Sequence, residues 1–421
     1  MRPRTASAAR PRPLASVAAL ALLGVASCSS SGGDDLGEVP PRSSGTATPT
    51  GEESPSPAPR STVVPDLVVE EVADGLEHGW DIGFLPDGRV LVTERPARIS
   101  LLSGMRKGAE VTRVDADLDD VWVQGEGGLM GMVVHPDFAA SREFTTCQTH
   151  LDDGEPDDIR LVTWRLSEDG GSAERVDTLL AGLPLSTGRH SGCRLEIADD
   201  GALLVGTGDT AVGSIPQDLD SLGGKTLRLD LETGEPLPDN PWAGESGPRR
   251  YVWSYGHRNI QGVAVQPGTG EVYTAEHGPD KNDEVNLIER GANYGWDPSQ
   301  GGTVGGYDES VPMTDRERFP DAVPAVWQSG NSTQAVCSAE FLEGEEWGAL
   351  DGALVVTALK GAKLLVLTLD DDGQFADVSI PEATNGPYGR LRAARLGPDG
   401  ALYVTTTNGD DDELLRVAPR S

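Results

Sequence analysis

The chain has 421 residues, 24% of them charged and 37% hydrophobic, and a formal net charge of −34. That length is enough to bury a large core, as one big domain or two ordinary ones. So acidic a surface excludes nucleic acid and an anionic membrane face as partners, because both require a basic surface.

The N-terminus reads as a targeting segment. Arg2, Arg4, Arg10 and Arg12 form a basic region, followed by an apolar run from Leu14 to Val25 that is too short to span a bilayer. The run ends in Val25-Ala26-Ser27-Cys28, which resembles the bacterial lipobox, whose Cys is diacylated and becomes the new N-terminus. Residues 1–27 are therefore expected to be a lipoprotein signal peptide, with Cys28 as the lipidation site. Residues 28–61 are rich in Ser, Gly, Pro and Thr and nearly devoid of large apolar side chains, so a flexible tether is expected there. The mature protein is then exported and held by its lipid at the outer face of the bacterial cell membrane, or on the periplasmic side. The propeller domain described next takes up residues 62–421.

From about Pro65 onward the pattern is all-β. A unit recurs in which an apolar strand turns at a Pro/Asp/Gly cluster and continues as an alternating strand. The first copy is IGFLPDGRVLVTERPARISLL from Ile82 and the last is ARLGPDGALYVTTTNGDDDELLRV from Ala394. The turns fall near Asp87, Pro136, Asp199, Pro267, Leu350 and Asp399, which makes six copies. Leu402 and Val404 alternate with Tyr403 and Thr405, the period of two that a sheet demands. Six such units without a convincing amphipathic helix predict a six-bladed β-propeller, favoured over a β-sandwich pair by the repeat count. The strand Leu67–Val72, ahead of the first unit, is expected to complete the last blade and close the ring.

Cys147, Cys193 and Cys337 remain after the tether. Their spacing excludes a CxxC redox pair and a zinc site. In an oxidising compartment two of them can pair. Three pairings stay open, and Cys147–Cys193 is preferred because both lie in adjacent strand units.

Chemistry is expected at the channel mouth, on loops leaving the inner strands. His190, in GRHSGCRLEI, and Asp209, in VGTGDT, offer an imidazole with a carboxylate to fix its tautomer. In so acidic a chain, Arg258 (GHRN), Lys360 (TALKG), Arg390 and Arg392 (YGRLR) fall at equivalent inner-strand positions of different units. Cations converging there repel one another unless an anion joins them, and a polycarboxylate ligand satisfies that need. Arg258 and Asn259 present donors suited to carboxylate or quinone oxygens. Gly278 and Pro279 form a turn that exposes bare carbonyls, hard oxygen ligands for Ca²⁺. Glu126, in QGEGGLMG, is a further rim candidate. This Gly-rich turn is not a phosphate loop, since no Lys-Ser/Thr pair or helical pattern follows.

With those residues in view, the chain resembles the soluble pyrroloquinoline quinone (PQQ)-dependent aldose dehydrogenases, the glucose/sorbosone dehydrogenase family. GEGGLMGMVVHPDF, RHSGCRLEIADDG with GTGD, YGHRNIQGVAV, EHGPDKNDEVNLIERGANYGW, TALKG and YGRLRAARLGPDG occur in the family's order, from roughly Leu67 to the end. The resemblance implies a six-bladed propeller that oxidises the anomeric hydroxyl of an aldose to a lactone. It implies His190 as general base oriented by Asp209, and Arg258 and Asn259 at the quinone. Lys360, Arg390 and Arg392 then hold the cofactor's carboxylates and quinone oxygens, and the carbonyls of Gly278 and Pro279 ligate Ca²⁺. Three places depart from the pattern: Glu126 stands where glucose-oxidising members often carry an amide, Arg189 where some carry an acid, and Trp327–Phe341 lacks the usual Pro-Ser-Gly core.

Two other function classes fit the architecture. One is a non-catalytic cell-surface propeller that binds sugars or proteins; the other is a metal-dependent lactonase. Lactonase propellers centre their metal on inward carboxylates and Asn, whereas cations dominate this rim.

Overall fold

The computed structural model describes residues 62–300 and 306–420. The expected signal peptide, the tether and the lipidation site at Cys28 lie outside the described residues. Helical structure is confined to short turns such as Phe138–Ser141, and the described chain is built from six four-stranded antiparallel sheets.

Taken from the inner strand outward, the first blade is Gly79–Phe84, Val90–Glu94, Arg98–Leu102 and Val111–Arg113. The second is Leu129–Val134, Glu143–Asp152, Glu155–Leu166 and Ala173–Leu183, and the third is Gly192–Ile197, Ala202–Thr207, Lys225–Asp230 and Val252–Tyr255. The fourth is Ile260–Val265, Val272–Glu276, Glu284–Leu287 and Trp327–Gln328, and the fifth is Val336–Phe341, Leu354–Ala358, Lys363–Leu369 and Phe375–Ser379. The sixth consists of Leu391–Leu396, Leu402–Thr406, Asp412–Pro419 and, from the other end of the domain, Leu67–Leu76. Leu67 pairs with Pro419 and Leu76 with Asp412, so the expected closing strand is present and four residues longer than its sequence signal. Each inner strand packs on the next and the last packs on the first. The ring is closed, which hides strand edges that would otherwise pair with other chains.

Apolar clusters lie between blades. Cys147 and Leu161 of the second blade pack with Leu203 and Leu227 of the third, while Val356 and Leu365 of the fifth pack with Ala275 and Val285 of the fourth. A fully buried Leu contributes roughly 1.5–3 kcal/mol, so blade-to-blade contact is the main cohesive term of the ring. Cys147 and Cys193 form a disulfide with their Cα atoms 5.7 Å apart, joining the second blade to the inner strand of the third, and Cys337 is free and buried.

Two features of the inner strands position the site. Every one of them has a register shift near its first residues, between Gly79 and Asp81, Leu129 and Met132, Gly192 and Arg194, Ile260 and Gly262, Val336 and Ala339, and Leu391 and Ala394. A bulge leaves an extra residue out of the ladder and re-aims its side chain; here six of them ring one mouth. Behind them the channel carries a buried ionic network. Arg395 pairs with Asp81 at 3.2 Å and with Glu196, and Arg194 Nη1 approaches Asp81 Oδ2 at 2.8 Å without hydrogen-bond alignment. Burial opposes the Asp81 charge, but Arg194 and Arg395 hold its carboxyl below the ordinary value.

Candidate functional site

The mouth is formed by turns that lead into the inner strands and turns that leave the second strands. The first set was expected to leave the inner strands; the antiparallel course instead puts the starts of inner strands beside the ends of second strands. Arg258, Arg390 and Arg392 take the expected inner-strand positions. Lys360 does not: it sits in the turn after Leu354–Ala358, exposed, in a turn tied to Gln334 and Ala335 by backbone bonds of 2.9 Å.

His190 precedes the inner strand of the third blade with a left-handed backbone, φ 50°. Non-glycine residues rarely hold that conformation, and it recurs at functional sites. Gly208 leaves room for it, since a Cβ there would lie 1.9 Å from the His190 carbonyl oxygen. Gly188, at φ 81°, lets the preceding turn pack backbone to backbone on the Gln124–Glu126 turn, where Glu126 N donates to Gly188 O at 2.7 Å.

The imidazole Nδ1 of His190 hydrogen-bonds Asp209 Oδ1 at 2.8 Å, and both side chains are buried. Asp209 also accepts from Trp296 Nε1 at 2.8 Å, Tyr307 Oη at 2.8 Å and the Ala211 N–H at 2.8 Å. With Nδ1 held to the carboxylate, Nε2 carries the acceptor lone pair, which faces Arg189 Nη2 at 3.4 Å. Burial, and then the Asp209 charge, push the Tyr307 phenol far above its ordinary value, so it serves as a donor and not as an acid.

Arg258 is 3% exposed. Its Nη1 donates to the His277 carbonyl and its Nη2 to Glu309 Oε1, each at 2.6 Å. Its buried Nε has no partner. Burial works against the charge, yet Tyr307, Glu309 and Asp209 keep the guanidinium above its ordinary value. Glu309 also receives Arg189 Nη2 at 3.1 Å and lies 4.0 Å from His190 Nε2.

Glu126 and Asn259 turn toward the protein. Glu126 Oε1 accepts from the His190 N–H at 3.1 Å, and its Oε2 accepts from Asn259 Nδ2 at 3.0 Å and Gln261 Nε2 at 3.3 Å. Burial raises such a carboxyl, but nearby His190 and His277, with these donors, bring it below its ordinary value. It therefore braces the backbone of His190 as an anion. Asn259 Oδ1 accepts from the Gly192 N–H and from Gln261 Nε2, each at 3.1 Å.

Across the mouth, Arg392 Nη1 reaches Gln261 Oε1 at 3.4 Å and Cys337 Sγ at 3.6 Å, with its guanidinium 5.4 Å from the Trp80 ring. Trp80 is backed on the channel side by Arg194 at 4.2 Å. Burial, and then the charge of Arg392, pull both Arg390 and Arg95 below the ordinary guanidinium value. Among the described residues, none of Arg95, Arg390, Arg392 and Lys360 has an acidic partner within ion-pair distance. Arg95 was not expected from sequence. Its signal was its place just after the second strand of the first blade, where Asp209 stands in the third and His277 in the fourth.

Gly278 and Pro279 follow the second strand of the fourth blade. The Gly278 N–H donates to Asp283 at 2.9 Å, and a Cβ there would lie 2.2 Å from the Lys281 oxygen. Among the described residues neither carbonyl accepts a hydrogen bond, and no group of three or more His, Cys, Asp or Glu is placed to hold a metal.

Residues 76–416 match the family model described as glucose / sorbosone dehydrogenase. The aldose sugar dehydrogenase YliI of Escherichia coli (strain K12) is 34% identical over 356 residues, 84% of this chain and 93% of that protein. The crystal structure of the soluble aldose sugar dehydrogenase from Escherichia coli in its apo form superposes with a TM-score of 0.74 at 32% identity, covering 84% of this chain and all (100%) of that one. The PQQ-bound aldose sugar dehydrogenase of Streptomyces coelicolor superposes with a TM-score of 0.69 at 29% identity, covering 85% and 100%.

Proposed function

Because this chain belongs to the glucose / sorbosone dehydrogenase family, we propose that it is an oxidoreductase that uses PQQ and Ca²⁺ to oxidise the anomeric hydroxyl of aldose sugars to lactones. One observation carries this reading: in a chain of net charge −34, Arg95, Arg390, Arg392 and Lys360 line one mouth with no acidic partner among the described residues. Unpaired cations packed together destabilise a protein unless an anion completes them.

The residues present fit such a group. Arg95, Arg390, Arg392 and Lys360 would hold the carboxylates and quinone oxygens of PQQ, and the orphan Nε of Arg258 supplies a further donor. The carbonyls of Gly278 and Pro279, which accept no hydrogen bond among the described residues, would ligate Ca²⁺ as hard oxygen donors. Bound there, the two groups supply an acceptor for the electron pair of the anomeric C–H bond and a positive charge that favours its arrival.

His190 Nε2 takes the proton of the anomeric hydroxyl as general base. Asp209, bonded to Nδ1 and surrounded by donors, stabilises the imidazolium that forms and holds the ring against rotation. Arg258, buried and fixed by the His277 carbonyl, places a permanent positive charge beside the reacting centre without reorganisation during the step. Glu126 holds the backbone of His190, so the base is set from below by an anion and from the side by Asp209 and Tyr307.

The test is titration of metal-free protein with PQQ and Ca²⁺ while dye reduction by a panel of aldoses is followed. Reduction that depends on both additions is expected. Sugar binding without turnover would instead indicate a binding module, and lactone cleavage with metal alone a lactonase.

We propose further that the chain is exported and anchored through lipid on Cys28, which the lipobox-like Val25–Cys28 supports. Membrane fractionation of the Cys28→Ala variant checks this: retention of the variant in the membrane fraction would remove the anchor.

A further inference from the structure

We propose that Glu309 is a substrate-binding residue that reads the hydroxyl adjacent to the one His190 deprotonates. The inference rests on the aldose dehydrogenase reading above and names a contact that decides which aldoses are accepted.

Glu309 belongs to a loop between the third and fourth strands of the fourth blade, and it is anchored beside the base. Tyr307, two residues earlier, donates to Asp209 at 2.8 Å and lies 3.1 Å from His190 Nδ1, and the Asp308 N–H donates to the Pro298 carbonyl at 2.8 Å. Only one carboxylate oxygen is engaged. Oε1 takes Arg258 Nη2 at 2.6 Å and Arg189 Nη2 at 3.1 Å, while Oε2 accepts no hydrogen bond among the described residues. The side chain is 36% exposed, so it faces the open mouth. Burial opposes its charge, but Arg258, Arg189 and His190 bring the carboxyl below its ordinary value, and it is an acceptor at neutral pH.

The separation from the base is informative. His190 Nε2 and Glu309 Oε1 are 4.0 Å apart, too far for a direct hydrogen bond, and Arg189 Nη2 spans them, 3.4 Å from the nitrogen and 3.1 Å from the oxygen. A sugar that displaces the half-exposed Arg189 side chain can set two neighbouring ring hydroxyls there, one oxygen on Nε2 and the other on the carboxylate. In an aldose the hydroxyl beside the anomeric one is on C2. A sugar lacking it leaves a desolvated carboxylate without its donor, which costs more than the hydrogen bond alone. A protonated amine at C2 keeps the contact.

The experiment compares kcat/KM for glucose, 2-deoxyglucose and glucosamine in the PQQ- and Ca²⁺-loaded wild type and in Glu309→Gln. Wild type is expected to favour glucose over 2-deoxyglucose by about tenfold or more and to accept glucosamine. In Glu309→Gln the ratios of glucose and of glucosamine to 2-deoxyglucose both fall toward one, with the larger change in KM. A ratio of two substrates on one preparation cancels the active fraction, so poor folding does not disguise the result. An unchanged ratio in the variant, or equal losses on all three sugars, overturns the role of Glu309 and leaves the dehydrogenase reading intact. A wild type that oxidises no aldose overturns both.

Discussion

His190 Nδ1 and Asp209 Oδ1 meet at 2.8 Å at a point where the His190 backbone is left-handed and both side chains are sealed from solvent. The pair joins the start of one inner strand to the end of its neighbour, so the tautomer of the ring is set by blade geometry. His190→Ala is expected to lower kcat by roughly 10²–10⁴ with little change in cofactor affinity. Asp209→Asn is expected to fall in the same range, because an amide NH₂ can donate to Nδ1 and move the proton to Nε2. Steady-state kinetics on cofactor-loaded protein check both; wild-type turnover in either variant takes that residue out of the mechanism.

Arg392 repels both Arg390 and Arg95, and among the described residues none of the three has an acidic partner within ion-pair distance. Arg390→Gln is therefore expected to raise, or leave unchanged, the melting temperature of cofactor-free protein. The same variant is expected to weaken PQQ binding by roughly 10–100-fold, the loss of one charge-assisted contact. Thermal melts with and without PQQ and Ca²⁺ give both numbers. Destabilisation of the cofactor-free variant together with undiminished PQQ affinity would refute the anion site.

The disulfide ties Cys147, in the second strand of its blade, to Cys193, which sits at φ 75° in the bulge three residues beyond the base. Replacing both with Ala is expected to cost about 2–4 kcal/mol in urea unfolding. Activity is expected to fall as well, since the bulge that aims His190 is freed. An unchanged urea midpoint would mean that blade packing alone holds this strand.

Much of this architecture was legible because inner and second strands are short apolar runs, buried along most of their length, that turn at Pro, Asp and Gly clusters. Outer strands other than the closing Leu67–Leu76 were not. Val111–Arg113 and Phe375–Ser379 are largely exposed, so no apolar period marks them, and Trp327–Gln328 is only two residues long after an extensive loop. At the site, His190, Asp209 and Arg258 stood out by residue type in short motifs. Tyr307 and Glu309 did not, because their loop has no periodicity and Tyr307 meets Asp209 across 98 residues of sequence. Glu126 was visible as a rim residue, but that its carboxylate faces inward to His190, Asn259 and Gln261 follows only from the fold.

Glu284, in the third strand of the fourth blade, is buried, and burial together with the neighbouring charge of Glu276 pushes its carboxyl up to about 8, although Gln328 Nε2 donates to it at 2.9 Å. Glu276 is itself committed to His257 Nδ1 at 2.8 Å and to the Arg258 N–H, so the pair sits directly behind the guanidinium of the site. In the unfolded chain Glu284 titrates near an ordinary ~4.3. Between those values the folded protein holds a proton that the unfolded chain has released. Stability from this group is thus full below the unfolded value and is lost as pH rises toward 8, by up to ~1.4 kcal/mol per pH unit. Glu340 is also pushed to about 8, chiefly by burial, and adds a slope of the same sign. Glu284→Gln keeps an acceptor for Gln328 and removes the titration. The variant is expected to match wild type near pH 5, to melt higher at pH 8, and to show a shallower but not flat dependence between them. Melting curves across that range decide it: a wild-type slope in the variant would mean that Glu284 is already ionised in the fold.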